Sequence, residues 1–226
     1  MYLSRIKLRD GTDRNNDFYK VFENQYKIHQ SLWQLFADRS DRKRDFLYRA
    51  DQTEGKPFFY VVSERRPLED SPIWHVESKN YQPQIAKGTR LNFMLRANPT
   101  VKKFKEGSKN GFRCDVVMDA KCRLRENTSE NRDLPVSELV QVESEKWLKS
   151  KEVSNGFRLD FVKADAYNQM RFYKSSRGNP IRFSTVDFEG VFSVTEPDVF
   201  IPKALFGGIG SEKGFGCGLI LVKLIR

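Results

Sequence analysis

The stretch Tyr2–Leu8, YLSRIKL, alternates apolar and charged residues. Such a period of two predicts a strand with one buried face. A loop at 10–16, rich in Gly, Asn and Asp, follows it, and Asp17 is placed to cap a helix that continues to Phe36. Apolar residues recur through this segment at helical spacing, at Val21, Ile28, Leu32 and Leu35. A strand followed by an amphipathic helix indicates an α+β fold.

Further strand patterns follow this helix. The segments 46–49 and 57–62 predict two strands joined by a turn that contains glycine, and 90–96 is an alternating strand that ends at Asn98-Pro99. A second helix is indicated around 79–87. The order of strand, helix, strand, strand and final strand resembles one ferredoxin-like unit.

A lysine-rich stretch at 102–109 separates this unit from a second set of elements. The patterns there predict a strand at 112–118, a helix at about 137–151, a short helix or turn from Pro197 and a last strand at 219–224. Four more strands are expected near 157–163, 170–174, 181–184 and 187–194. The halves show no sequence repeat, and the elements divide into two α+β domains with a boundary near residue 100.

The charge of the chain favours a polyanionic partner. Its 226 residues include 40 Lys and Arg against 30 Asp and Glu, a formal net charge of +10. Apolar runs such as Leu219–Val222 are far shorter than the roughly 18 residues that a membrane-spanning helix needs. Charged residues between Arg5 and Asp10 stand where a signal peptide would have its apolar segment. We therefore expect a globular, cytoplasmic protein with no membrane partner.

Cysteine and histidine are few and scattered. Cys114, Cys122 and Cys217 form no CxxC pair, which favours reduced thiols. His29 and His75 have no Cys or second His at a metal-ligand offset, so we expect no metal site and no cofactor. We interpret His75 as structural.

Tyr26 and His29 lie three residues apart on the first predicted helix, so their side chains share one face. Histidine, with an ordinary pKa of about 6.5, gives or takes a proton at neutral pH. A single histidine on an amphipathic helix is, however, more often a boundary residue than a catalytic one. The spacing alone leaves both interpretations open.

Glycine fills six of the twelve positions in the segment 207–218. Glycines let backbone N–H groups approach a phosphate, and the one lysine would add charge. The segment is not a Walker loop, because the GK[ST] ending is absent and a strand follows. The alternative is a wide hairpin that needs positive φ angles. The candidate phosphate-binding residues are Gly208, Gly210, Lys213, Gly214 and Gly216.

Two basic stretches, 102–113 and 163–182, contain one acidic residue each. Cations along a loop or hairpin are suited to tracking a phosphate backbone, and a solvated loop is the alternative. The cations of the first stretch are Lys102, Lys103, Lys105, Lys109 and Arg113, and those of the second are Lys163, Arg171, Lys174, Arg177 and Arg182.

Five blocks of sequence follow one another in a recognisable order. They are the N-terminal MYLS, YKIHQSLWQLF at 26–36 with RDFLYR at 44–49, LRANP at 95–99, FEGV at 188–191 and GIGSEKGFGCGL at 208–219. Together they resemble the CasE family, the CRISPR RNA endoribonucleases of the type I-E Cascade complex. The blocks come from both ends of the chain, so the resemblance spans essentially all of it.

The resemblance implies α+β structure with two tandem ferredoxin-like (RRM-like) domains and antiparallel sheets. Residues 1–99 would carry the catalytic helix, and 100–226 the basic hairpin and the glycine-rich loop. It also implies a substrate, the stem-loop of CRISPR repeat RNA, and partners, the other Cascade subunits. In this family the histidine of the Y-x-x-H pattern, here His29, is the principal catalytic residue, and Tyr26 holds the accompanying tyrosine position. Contacts of 163–182 with RNA are inferred from charge alone.

These features lead to the hypothesis of a metal-independent endoribonuclease. The RNA supplies its own nucleophile when a 2′-OH attacks the adjacent phosphate, which leaves a 2′,3′-cyclic phosphate and a 5′-OH. His29 would be general base or general acid, Tyr26 would orient the reacting groups and Lys213 would stabilise charge. A non-catalytic, hairpin-binding subunit of the same complex and an unrelated basic RNA-binding protein are the alternatives.

Overall fold

The computed structural model describes residues 1–9, 11, 20–36, 44–53, 56–104, 110–126, 135–174 and 178–225. Two four-stranded sheets and one two-stranded hairpin, all with antiparallel pairing, form its framework. Helices pack on both four-stranded sheets, so the α+β class is confirmed.

The first sheet has the strand order β2-β3-β1-β4. The side chain of Ile6 on β1 is fully buried, and its neighbours across the sheet are Phe59 and Val76. Helix α1 covers this face with its buried residues Ile28 and Leu32. The elements are β1 (Tyr2–Leu8), α1 (Gln25–Gln34), β2 (Phe46–Thr53), β3 (Lys56–Ser63) and β4 (Trp74–Asn80).

The second sheet has the order β10-β5-β9-β8. Its strands are β5 (Arg90–Ala97), β8 (Phe157–Phe172), β9 (Ile181–Val194) and β10 (Ile220–Leu224). The connections contain the hairpin β6 (Thr100–Phe104) and β7 (Gly111–Asp115), and the helices α2 (Val116–Glu126), α3 (Val136–Lys149), α4 (Glu152–Asn155) and α5 (Pro197–Val199). A π-helical turn (Phe200–Phe206) and a 3₁₀ turn (Lys213–Phe215) precede β10.

Both four-stranded sheets have the same connectivity. In each, the first strand in the chain lies between the third and the fourth, and the second strand lies at the edge beyond the third. This order, with helical connections, defines the ferredoxin-like fold. The prediction of two tandem ferredoxin-like units with antiparallel sheets is therefore confirmed.

Two assignments in the first half are wrong. The segment 79–87, all of it described, forms no helix, because its first residues end β4 and the rest is irregular. The strand at 90–96, assigned from sequence to the first unit, pairs as β5 with β9 and β10. The chain therefore passes from one sheet to the other between Asn80 and Arg90, ahead of the predicted boundary at 99.

Three further elements differ in extent from the predictions. The helix that was expected to run unbroken to Phe36 is interrupted, since a bend at residues 23–24 separates the helical residues 20–22 from α1. Asn24 caps α1 by accepting a hydrogen bond from the backbone N–H of Lys27. The predicted cap, Asp17, lies outside the described residues. The strand expected at 112–118 gives way to α2 at Val116. The four shorter strands expected between 157 and 194 are two long ones, β8 and β9.

The two sheets are joined by apolar and ionic contacts. Leu47 and Val62 of the first sheet pack with Leu219, which leads into β10. Arg96 on β5 donates two hydrogen bonds to Asp187 on β9, at 2.8 and 2.7 Å, and a third to the Ala50 carbonyl on β2 at 3.3 Å. These contacts fix the first sheet, and α1 on it, relative to the second.

Candidate functional site

Helix α1 presents Tyr26 and His29 beside its buried face. Ile28 and Leu32 point into the core of the first unit, whereas Tyr26 and His29 are half-buried. The spacing of three residues therefore places both side chains at the edge of the core, as the sequence predicts. Both stay available to a ligand.

Aromatic rings surround the His29 imidazole on three sides. Its centroid lies 5.6 Å from that of Trp33, 6.1 Å from that of Phe46 and 6.2 Å from that of Phe215. Its Nδ1 atom is buried and has no hydrogen-bond partner among the described residues. A buried, unpartnered N–H is costly, and the charged imidazole carries N–H on both ring nitrogens, so this packing favours the neutral ring.

The local charges also favour neutral His29. Burial lowers the pKa of His29, and the nearby cations Arg44 and Lys174 lower it further. These cations come from two different elements, the segment before β2 and the segment after β8. At neutral pH the imidazole is therefore mostly unprotonated and able to accept a proton.

Arg44 is a site residue that sequence reasoning missed. A Cβ atom built on Gly214 would lie 2.8 Å from Arg44 Nη1 and 4.0 Å from His29 Cε1, so the guanidinium and the imidazole flank one point in space. Burial lowers the pKa of Arg44, while Tyr48 and Glu212 raise it. Arg44 belongs to the RDFLYR block on which the family resemblance rests, but its distance along the sequence from His29 does not predict that the two side chains lie close together.

The glycine-rich loop is held by contacts with its surroundings. The Tyr48 hydroxyl donates to the Gly214 carbonyl at 3.2 Å, and the Gly218 N–H donates to the Arg96 carbonyl at 2.7 Å. Gly216 has a φ of 83°, and a Cβ there would lie 3.2 Å from the Tyr48 ring. At this position glycine is required by conformation and packing, as the wide-hairpin interpretation expects.

The other predicted loop residues occupy different environments. Gly208 is buried near Leu47, and Gly210 is exposed beside the Trp147 ring. Lys213 Nζ donates to the Gly207 carbonyl at 2.6 Å. Burial and the charge of Arg44 lower the pKa of Lys213. Lys213 thus closes its own loop as well as contributing charge near the site, and the RNA contacts of these residues stay predictions.

Phe215 connects the loop to the hairpin of β8 and β9. Its ring centroid lies 5.1 Å from that of Phe172 and 5.7 Å from that of Phe183. The same hairpin reaches α1, since Lys174 Nζ lies 5.8 Å from the centroid of the Tyr26 ring. The surface cleft between hairpin and helix is lined by Glu23, Asn24, Lys27, Arg171, Phe172, Tyr173 and Lys174.

The hairpin cations divide into those near His29 and those farther along the strands. Arg171 and Arg182 are exposed and lie opposite each other across β8 and β9. Arg171 Nη2 donates to the Tyr173 hydroxyl at 3.0 Å. Arg177, also predicted to bind RNA, lies outside the described residues.

The predicted cations at 102–109 lie on a separate element. Lys102 Nζ is 4.9 Å from the centroid of the Phe104 ring, and Lys103 is paired with Asp119 on α2. Lys105 and Lys109 lie outside the described residues. Lys102 and Lys103 thus contact Phe104 and Asp119, and their binding to RNA stays a prediction.

The remaining candidates do not add to this site. His75 lies on β4, half exposed, with Nε2 3.3 Å from Glu77 Oε1. The three cysteines are unpaired. Within the part of the chain that the structure describes, no three His, Cys, Asp or Glu side chains gather as metal ligands, and no helix is long and apolar enough to span a membrane.

A family model described as CRISPR associated protein matches residues 1–223. The chain belongs to this family. A curated relative, the CRISPR system Cascade subunit CasE of Escherichia coli strain K12, is 28% identical over 222 residues, which cover 97% of this chain and 98% of the relative.

Two solved structures share the fold. The CRISPR endoribonuclease Cse3 bound to a 19-nucleotide RNA has a TM-score of 0.73 at 22% identity and covers 99% of this chain and 100% of its own. The CRISPR-associated protein Cas6e from Escherichia coli K-12 has a TM-score of 0.66 at 24% identity, with 100% of both chains covered. The resemblance read from the five sequence blocks is therefore confirmed.

Proposed function

We propose that this chain is a metal-independent endoribonuclease that binds the stem-loop of CRISPR repeats in precursor RNA and cleaves it into guide RNAs. The observation that carries the proposal is the half-buried His29, whose pKa is lowered where cations from two other elements converge. The family membership and the relatives named as endoribonuclease and Cascade subunit support the choice of substrate.

His29 is assigned as the general base. The neutral imidazole takes the proton of the 2′-OH that precedes the scissile phosphate, and the 2′-oxygen forms a bond to phosphorus. The bond from phosphorus to the 5′-oxygen breaks, and that oxygen takes a proton from water. The products are a 2′,3′-cyclic phosphate and a 5′-OH, with no oxidation or reduction and no water added to phosphorus.

Tyr26 is assigned to positioning the reacting groups. Its phenolic hydroxyl can donate a hydrogen bond to a phosphate oxygen. Lys174, near the Tyr26 ring, adds positive charge on the same side of the helix. A phosphate at this place would meet one neutral donor and one cation.

RNA binding is assigned to the basic surface around the hairpin of β8 and β9. Arg171, Lys174 and Arg182 are exposed there, and Lys27 faces the same cleft from α1. Phosphate contacts by Lys and Arg dominate the affinity for nucleic acid and make it depend on salt. Binding should therefore survive the loss of His29, because the imidazole is not one of these cations.

The partners of the protein are proposed from its relatives. The curated relative is a Cascade subunit, so we assign this chain to the equivalent place in a cytoplasmic CRISPR surveillance complex, where it holds the repeat hairpin. The reduced state of the three cysteines is compatible with that compartment.

The test is incubation of the purified protein with synthetic RNA of the CRISPR repeat from its own genome, followed by mapping of the product ends. We expect cleavage in excess EDTA, a 2′,3′-cyclic phosphate and a 5′-OH. A single 2′-deoxy substitution at the cut should abolish cleavage and leave binding intact. Hairpin binding without cleavage would instead indicate a non-catalytic subunit, and a strict need for Mg²⁺ would overturn the mechanism.

A further inference from the structure

Gly214 lies between Arg44 and His29. It has no positive φ, so its backbone conformation does not require glycine. A Cβ there would lie 2.8 Å from Arg44 Nη1, which is too close, and 4.0 Å from His29 Cε1. The absence of a side chain thus lets the Arg44 guanidinium approach the loop beside the His29 imidazole.

The Arg44 guanidinium is suited to binding a phosphate beside the imidazole. Charge-assisted hydrogen bonds between a guanidinium and an anionic oxygen are about 2.7–2.9 Å long. Because Arg44 and His29 flank the same glycine, a phosphate that accepts such a bond from Arg44 would lie next to the imidazole.

Arg44 and Lys213, two cations of this region, differ in what they already bind. Lys213 Nζ donates to the Gly207 carbonyl, which uses part of its hydrogen-bonding capacity within the loop. Arg44 is partly buried but still accessible to solvent, and its neighbours include Glu212 and the buried Tyr48. Arg44 also has the planar fork that matches two oxygens of one phosphate.

We propose that the scissile phosphodiester binds beside Arg44, His29 and Gly214, and that Arg44 is a catalytic residue of this subsite. The inference rests on the proposed endoribonuclease function and names a residue that the Y-x-x-H motif does not contain. As the 2′-oxygen bonds to phosphorus and the 5′-oxygen leaves, charge builds on the two non-bridging oxygens. Arg44 donates to them and stabilises the transition state more than the bound RNA.

The subsite also explains how one charge has two effects. Arg44 attracts the phosphate and, by the same positive charge, lowers the pKa of His29 and keeps it ready to accept a proton. Lys174 adds to that effect from the hairpin side. A phosphate bound between Arg44 and Lys174 would partly offset their positive charges. The two cations and the base His29 would then all act on one phosphodiester.

The test compares single-turnover cleavage at saturating protein with the Kd for an uncleavable 2′-deoxy repeat RNA. Arg44→Ala should lower the rate about 10²- to 10³-fold, as expected for the loss of one transition-state donor, and Arg44→Lys should lie between it and the wild type. The Kd should change less than about tenfold, because one phosphate contact of several is lost. Gly214→Ala should also slow cleavage, since its methyl group would displace the Arg44 guanidinium.

The matched control is Arg158→Ala. It removes the same charge near the start of β8, from a side chain that is 69% exposed, and its cleavage rate should stay within about twofold of the wild type. Thermal unfolding of each variant separates loss of catalysis from loss of fold. Should Arg44→Ala unfold, Arg44→Gln and Gly214→Ala carry the same test.

The outcomes distinguish the two proposals. Cleavage by the wild type together with near-normal rates for the folded Arg44 and Gly214 variants overturns the subsite and leaves the endoribonuclease function intact. A loss confined to the Kd and restored by more protein would make Arg44 a binding residue only, which also overturns the inference. A wild type that binds the hairpin and never cuts it refutes the proposed function itself.

Discussion

Replacement of Asp187 by asparagine tests how the two sheets are held together. Asp187 accepts two hydrogen bonds from Arg96, at 2.8 and 2.7 Å, and lies 3.8 Å from Arg49 Nη1. Only 4% of the Arg49 side chain is exposed, and its Nε and Nη1 atoms have no hydrogen-bond partner within the described residues. Asp187→Asn removes a negative charge that both guanidinium groups share, leaves Asp51 at 3.7 Å from Arg49 Nε, and leaves the shape nearly unchanged.

The expected loss follows from burial. Removal of one partner from a fully buried ion pair costs about 3–5 kcal/mol. Because the Asp187 side chain is 21% exposed and that of Arg96 is 32% exposed, solvent screens part of the interaction, which reduces the cost to about 2–3 kcal/mol. An unfolding entropy of about 2.1 cal/mol/K per residue over 226 residues converts this loss to a Tm lower by about 4–6 °C.

The assay is thermal unfolding followed by circular dichroism, with Asp70→Asn as the control. Asp70 is exposed, and its replacement makes the same change in charge and size. The control should unfold at the wild-type temperature. A shift below about 1 °C for Asp187→Asn would refute the claim that this cluster holds the sheets together.

The remaining predictions concern pH and the glycine-rich loop. If neutral His29 is the base, the single-turnover rate rises with pH, with a midpoint below the ordinary pKa of about 6.5, and then levels off. A rate that falls over this range would assign His29 as the acid. Lys174→Ala removes one of the two cations that lower this pKa, the other being Arg44, so the rising limb should move to higher pH. Gly216→Ala adds a Cβ to a residue with a φ of 83° and places it 3.2 Å from the Tyr48 ring, so the free energy of unfolding measured in urea should fall by about 1–3 kcal/mol. Gly88 has a φ of 82° and no atom within 4 Å of the position of a Cβ, so Gly88→Ala measures the cost of backbone strain alone and should lose less stability than Gly216→Ala.

The strand and helix patterns predicted most of the fold because both sheets have one buried face. Strands such as β1 and β5 alternate between core and surface, and α3 buries Trp147 and Leu148 at helical spacing. The ferredoxin-like order of the first unit was recognised with 90–96 in the place of β4 as its last strand, and that of the second unit came from the family resemblance. Local patterning therefore found most elements with one apolar side but missed β4.

The errors came from features that local patterning does not record. Strand β5 has the same alternation in either sheet, and only its pairing with β9 and β10 assigns it to the second. Strand β8 contains two register shifts, at Leu159/Phe161 and Asp165/Asn168, which change the face of its side chains and divide its pattern into shorter pieces.

Only part of the candidate site could be predicted from the sequence, for the same reason. Tyr26 and His29 share one helix, so a motif of four residues identifies them. Arg44, Lys174 and Phe215 come from three other segments. Arg44 precedes β2 of the sheet that α1 covers, whereas Lys174 and Phe215 meet His29 only because the two sheets are fixed relative to each other. No spacing in the sequence encodes such a meeting.

The most direct test of the account is the cleavage of repeat RNA by His29→Ala beside His75→Ala. These variants remove the two histidines of the chain, one at the proposed site and one at the surface of β4. We predict that His29→Ala loses at least about 10²-fold in single-turnover rate, the usual share of a general base, with hairpin binding nearly unchanged. His75→Ala should cleave as the wild type does. Cleavage by folded His29→Ala at the wild-type rate would contradict the central claim that this imidazole carries out the reaction.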